Sequence, residues 1–292
     1  MSLYNALRAT YTACVGIDDE LADLKTMAGI NTAITGVGTA AGIGATVTGL
    51  VKADKDKQIE KLQMQKLQKI SESNTNKNFS NGQISDNLSA LETYYQQHKN
   101  DPHEDIDTEI DKLTKQSKNL GNWRTGLMAG ATATNVAGAI IAGTNKVDGD
   151  LKSQINSCLA SVSTLRNSMM QARINGEDIS EAETIASTCG EFEYVDVSKI
   201  NNRAKGAMIS SVIGATTGLA GTVVSATANT DKTRNDDTES GKQKEKNLNT
   251  AANVLAGTTT AASATATVFN ASQISAIKKV AAVAEKCTRV LK

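Results

Sequence analysis

The side chains in this chain of 292 residues with the most specific chemistry are four cysteines, Cys14, Cys158, Cys189 and Cys287, and two histidines, His98 and His103. Both histidines lie in HKNDPHEDIDTEID, residues 98 to 111, among six acids, a composition that invites a cation. The spacing argues against one. A calcium loop beginning at Asp105 needs Gly where Ile110 stands and Glu where Gln116 stands, and one beginning at Asp231 meets Asp236 and Lys242 at those places. Pro102 separates the histidines, so they do not share a helical face. The segment reads instead as the solvated start of a helix, with Asp101 as N-cap, Pro102 first in the helix and Glu104 three residues after the cap. No metal site is expected.

Other catalytic constellations fail in the same way. There is no Gly-x-x-x-x-Gly-Lys phosphate loop, and the glycines fall inside predicted helices instead of after strands, so no nucleotide cofactor is expected. No base accompanies a cysteine, so neither an enzyme nor a small-molecule substrate is expected. Asn78, Asn87 and Asn270 match a glycosylation acceptor pattern too short to be specific. Trp123 and the Tyr94-Tyr95 pair suit a membrane interface or a binding surface, but local packing explains them as well.

The elements that would position the cysteines are four uncharged runs, Gly29 to Val51, Thr125 to Asn145, Gly206 to Thr230 and Asn247 to Ile277. Small residues recur in each at intervals of four: Gly38, Gly42 and Thr46; Gly126, Gly130, Thr134 and Gly138; Ser210, Gly214, Gly218 and Thr222; Ala252, Ala256, Thr260 and Ala264. On a helix such positions stay near one face and let two backbones approach closely. Glycine in a helix costs about 1 kcal/mol relative to alanine, which close packing must offset. One proline and few aromatic residues, one Trp, five Tyr and three Phe, permit long helices and provide no aromatic core.

The expected fold is therefore all-α: an elongated antiparallel up-down-up-down four-helix bundle, one domain over residues 1–292, with small-residue faces and a helical-hairpin extension. Residues 3 to 28 carry a seam, Leu7, Cys14, Ile17, Leu21, Leu24 and Ala28, that should run straight into the first uncharged run. Residues 53–122 form an amphipathic arm with a loop at 73–101, beginning in the Asn- and Ser-rich Ser71 to Gly82 and containing a short helix from Ser85 to His98. Residues 147–205 form a helical turn region. In it Leu151, Ile155, Cys158, Val162, Leu165 and Met169 make a seam, Gly176 breaks it, Ser180 with Glu183 is a capping box for a helix to Cys189, and residues 191 to 197 alternate like a strand. Residues 231 to 246 read as a charged turn before a last helix from about Asn247.

In such a bundle all four cysteines fall at one end, roughly 15 to 25 Å from the uncharged zone at helical rise. Chain order favours Cys14 with Cys287 and Cys158 with Cys189, and places the protein in an oxidising compartment; the alternative is four buried thiols in a cytosolic protein. The stretch MSLYNALRATYTAC has no apolar core of signal-peptide length and is a poor lipoprotein cleavage site, and the expectation of export is accordingly that of a leader removed ahead of the Met-Ser-Leu start.

Lys plus Arg equals Asp plus Glu, so no charge imbalance points to nucleic acid. The uncharged runs are long enough to span about 30 Å of hydrocarbon, although they are rich in Thr, and Ala256 to Thr267 has no large apolar side chain. The segments NTDKTRND, GKQKEKNLNTAANVLAG and FNASQISAIKK resemble a family of proteins inferred from uncultured bacterial genomes, over most of the chain. That resemblance implies a bacterial origin and supplies no functional residues. The small-residue spacing is loosely similar to glycine-zipper membrane proteins. The expected role is a non-enzymatic structural or assembly protein of the cell envelope, membrane-inserted, with itself, an envelope protein or a lipid bilayer as partner. A pore-forming effector with a soluble form, and a soluble self-assembling adaptor working through its arm, are the other readings.

Overall fold

The computed structural model describes residues 1–75, 104–234 and 238–292, without the side chains of 69–75 and 104; among these residues the only regular structure is helical. The helices are α1 (Leu3–Cys14), α2 (Ile17–Thr75), α3 (Glu104–Thr144), α4 (Gly149–Ile174), α5 (Ser180–Gly190), α6 (Ser198–Ala228), the single turn α7 (Asp231–Arg234) and α8 (Glu239–Leu291), with a 3-10 turn at Glu191–Tyr194. The short helix expected at 85–98, the helix start at Asp101 to His103, His98, the tyrosine pair, Asn78 and Asn87 lie outside the described residues. Helix α2 continues to Thr75, past the start of the expected loop at Ser71.

Three further boundaries depart from expectation. The first seam does not run straight into α2. Gly16, at φ 90°, separates α1 from α2, a backbone conformation that favours glycine. The freed carbonyl of Val15 accepts from Gln154 Nε2 of α4 at 2.9 Å. Residues 191–194 are a 3-10 turn, not a strand, with Phe192 buried. Helix α8 begins at Glu239, so most of the expected charged turn is helical; Gln, Lys and Glu are good helix formers and the stretch has no proline.

Local chemistry sets the ends of the cysteine-bearing helices. Ser2 caps α1 by accepting from Asn5 N–H, and Asp148 caps α4 by accepting from Leu151 N–H at 2.8 Å. Gly176, at φ 75°, ends α4: its N–H reaches Arg173 O at 3.2 Å and Glu177 N–H reaches Ala172 O at 2.9 Å, the paired bonds of a Schellman turn. The N-cap of α5 is Ile179, with no side-chain cap, so the expected capping box is not formed. Asp178 accepts from Ser180 N–H at 3.0 Å instead, which holds its carboxyl below the ordinary range.

The chain divides into two compact units, where the sequence reads as one body. The first comprises Met1–Ile43, Ala129–Leu219 and Gly257–Lys292, the second Gly44–Met128 and Ala220–Ala256. In the first unit α1, α4 and α5 pack with parts of α2, α6 and α8 around Ile17, Leu21, Leu151, Ile155, Val162, Leu165, Phe192 and Val280, a conventional apolar core that encloses the cysteines. In the second unit a small cluster of Ala45, Met128 and Ala256 holds the core, and Lys66 Nζ meets Asp107 at 2.7 Å, an exposed contact between α2 and α3 in the expected arm.

Candidate functional site

Buried positions recur with a period of 3.5. In the first unit they are Asn31, Thr35, Gly38 and Gly42 on α2, Ala131, Asn135, Gly138 and Ala142 on α3, Ala207, Ser211, Gly214 and Gly218 on α6, and Thr259, Ser263, Ala266 and Asn270 on α8. This is a heptad seam populated by small and polar residues. The glycines allow contact at backbone distance. A Cβ on Gly42 would lie 3.0 Å from Thr260 Cα, and one on Gly138 would lie 2.8 Å from Thr35 Cγ2 and 3.2 Å from Ser211 Oγ. Gly38 faces Thr134, Gly214 faces Asn135 and Gly218 faces Thr132. Ala252 and Ala256, of the second unit, are buried.

Gly126 and Gly130, expected in the same packing stripe, are exposed, with nothing within 4 Å of a Cβ on either. The reason is angular. Residues four apart on a 3.6-residue helix drift about 40° per step, so a run of three steps from Gly126 to Gly138 turns through about 120°. The seam follows Met128, Ala131, Asn135 and Gly138 and leaves the first two glycines on the other side.

The interior of this zone is polar. Asn31 Nδ2 donates to Asn270 Oδ1 at 2.9 Å, Asn270 Nδ2 to Thr35 Oγ1 at 3.3 Å, Asn135 Nδ2 to Ser263 Oγ at 2.7 Å, and the Thr217 and Thr259 hydroxyls meet at 2.9 Å. Gln273, fully buried, donates to Asn145 O at 2.8 Å. The outside is apolar: Val37 is 61% exposed, Ile140 63%, Leu219 60% and Val268 68%, with Ile30, Ile43, Val136, Ile209, Val212 and Ile213 also exposed. A water-facing bundle distributes these residue types the other way round.

Among the described residues the second unit holds two fully buried cations, neither singled out by the sequence. Arg124 donates to Ser225 Oγ at 2.8 Å, Asn249 Oδ1 at 2.9 Å and Asn253 Oδ1 at 3.0 Å. Lys52 Nζ meets Asp56 at 2.6 Å and Glu245 at 3.7 Å, while Ser117 Oγ donates to the other Asp56 oxygen. Burial pushes the Glu245 carboxyl above its ordinary range despite the opposing pull of Lys52. Both cations stand at the edge of an uncharged run and read there as charges resuming. The 3.5 period that links Ala45, Gly49 and Lys52, and Gly121, Arg124 and Met128, would have placed them inward. Trp123 is 69% exposed.

The four cysteines are all bonded and all buried. The pairing is Cys14 with Cys158 and Cys189 with Cys287, not the expected Cys14 with Cys287 and Cys158 with Cys189. The break at Gly16 accounts for the first: α1 packs on α4, bringing Cys14 to Cys158. The sulfurs of Cys14, Cys158 and Cys287 lie within 4.8 Å of one another, so both bonds occupy one spot.

By length and composition, helices within Leu3–Gln68, Asp105–Ile174 and Ser180–Ala228 suffice to cross a membrane. Three of the four expected uncharged runs fall in them; α8 lacks the large apolar side chains between Ala256 and Thr267. The class these features define is an all-helical, doubly disulfide-bonded chain with apolar outward helix faces. Comparison with family models, curated proteins and solved structures finds no match.

Proposed function

We propose that the chain is a non-enzymatic structural or assembly protein of the bacterial cell envelope, exported and inserted in the membrane through its uncharged helical segments. One observation carries this reading: in the first unit the amide and hydroxyl side chains of Asn31, Asn135, Ser263 and Asn270 are buried, while valine, isoleucine and leucine stand on the outside of α2, α3 and α6. In hydrocarbon that distribution is favourable, because interhelical hydrogen bonds and close small-residue contacts hold helices together where lipid tails compete for apolar surface. In water it leaves apolar side chains exposed and spends the polar ones inside.

An up-down-up-down order of the four helices in this unit is part of the reading. It is supported by neighbours whose numbers run in opposite directions, Asn31 with Asn270 and Thr39 with Thr267 between α2 and α8, and Thr35 with Gly138 and Gly38 with Thr134 between α2 and α3. Two disulfides support an oxidising compartment. The partners of such a unit are copies of itself or another envelope protein. A second reading, a membrane-perturbing effector with a soluble form, draws on α8, whose composition falls short of a spanning helix.

The test is flotation. The chain is expressed with a signal peptide, membranes are washed with alkali, and the extract is floated on a density gradient. Recovery with lipid is expected. Recovery of all the protein at the bottom overturns resident insertion, and dye release from liposomes by that soluble protein would then support the effector.

A further inference from the structure

Two disulfides that served only as staples would have no reason to touch. Bonds placed apart along the α1–α4 and α5–α8 contacts would restrict the unfolded chain to the same degree. Placed together, each thiol can reach more than one partner, and thiol–disulfide exchange can scramble them. Yet sulfurs from three helices gather here: those of Cys14, Cys158 and Cys287 lie within 4.8 Å of one another, and Cys189, on a fourth helix, is bonded to the last.

Three gathered sulfurs with a fourth one bond away supply the donor set of a tetrahedral thiolate site. A zinc–sulfur distance of about 2.3 Å sets sulfur–sulfur edges of roughly 3.8 Å, so Cys14, Cys158 and Cys287 reach it by shifts on the order of an ångström, and Cys189 completes the set by turning in from its place beside Cys287. Every cysteine is at most 1% exposed, which leaves no position for water or substrate and matches a closed structural site. Thiolate donors select a thiophilic cation such as zinc over calcium or magnesium. Around them lie Ile17, Leu21, Ile155, Val162 and Phe192, an apolar shell in which free thiolates are unfavourable without a cation.

We propose that in the reduced chain Cys14, Cys158, Cys189 and Cys287 form a closed four-thiolate site for a zinc-type divalent cation, and that the two disulfides are the oxidised, metal-free form of that site. On loading, four thiols release four protons and bind one cation, leaving a net charge of two minus. On oxidation by a disulfide-donating oxidant of the exported compartment, the four thiolates give up four electrons to two acceptor disulfides. Two S–S bonds form, the acceptors take up four protons to become thiols, and the cation leaves. The same four helices are tied together in both states. This inference does not rest on membrane insertion.

The experiment uses the full chain, purified from a reducing cytosol in mild detergent and kept reduced, with helicity followed by circular dichroism. Cobalt, as a spectroscopic substitute for zinc, should bind at one ion per chain with thiolate charge-transfer and tetrahedral ligand-field bands, and zinc should displace it. Added oxidised dithiol should release one zinc per chain as both disulfides form. The Cys158→Ser chain and a chain with all four cysteines changed to Ala should lose stoichiometric binding. A helical, reduced wild-type chain that shows no tetrahedral thiolate spectrum overturns the proposal, as does unchanged binding in the helical four-alanine chain. Because the decisive reading is made on the wild type, failure of a variant to fold does not decide it.

Discussion

Gly42 and Gly126 have the same side chain and opposite surroundings. A Cβ at Gly42 would stand 3.0 Å from the Thr260 backbone, which no rotamer change can move, whereas Gly126 faces open space. Gly42→Leu must push α2 and α8 apart, and overpacking of that kind costs about 1 to 3 kcal/mol or more. Gly126→Leu meets nothing and replaces a poor helix former, so its effect should fall between neutral and about 1 kcal/mol stabilising. Thermal unfolding of the two variants in detergent, followed by circular dichroism, compares them directly. Equal losses would refute the heptad seam as the contact surface. The same logic explains what a spacing of four could and could not reveal. It located the small residues, but the drift of about 40° per step put Gly126 and Gly130 on the wrong side.

At the scale of elements, the long helices were legible because uncharged runs and apolar seams extend them without interruption. The breaks were less legible. Gly16 sits within a seam that continues on both sides, from Cys14 to Ile17, and only its positive φ separates α1 from α2. The disulfide pairing followed from that break and so was misassigned by chain order. Buried Lys52 and Arg124 were hidden because a charge at the end of an uncharged run looks like solvent. With 12 residues, α1 is at the limit of what forms alone in water, so its order depends on α4 and on the Cys14–Cys158 bond. Replacing both cysteines by Ala should cost about 2 to 5 kcal/mol and release the amides of α1 to hydrogen exchange before those of α4. If the α1 amides stay as protected as those of α4 in that chain, packing alone fixes the element.

For the whole molecule the question is which solvent the outward apolar faces meet, and a charge placed on them gives opposite answers in the two cases. Val136, Val212 and Val268 lie on three different helices of the first unit and are each exposed, so a lysine side chain there can extend outward. In water, exchanging an exposed valine for lysine should be nearly neutral for stability and favourable for solubility. In a bilayer each such lysine near the middle of a helix costs about 2.5 to 3.5 kcal/mol on insertion scales, and three of them should prevent stable insertion. The triple Val→Lys chain should therefore lose its membrane fraction in cells, with degradation or accumulation as soluble protein, while a control with Val→Leu at the same positions remains inserted. A triple-lysine chain that stays in alkali-washed membranes at wild-type level would mean that these faces do not meet lipid and that the apolar surface is covered by protein, most simply by other copies of this chain.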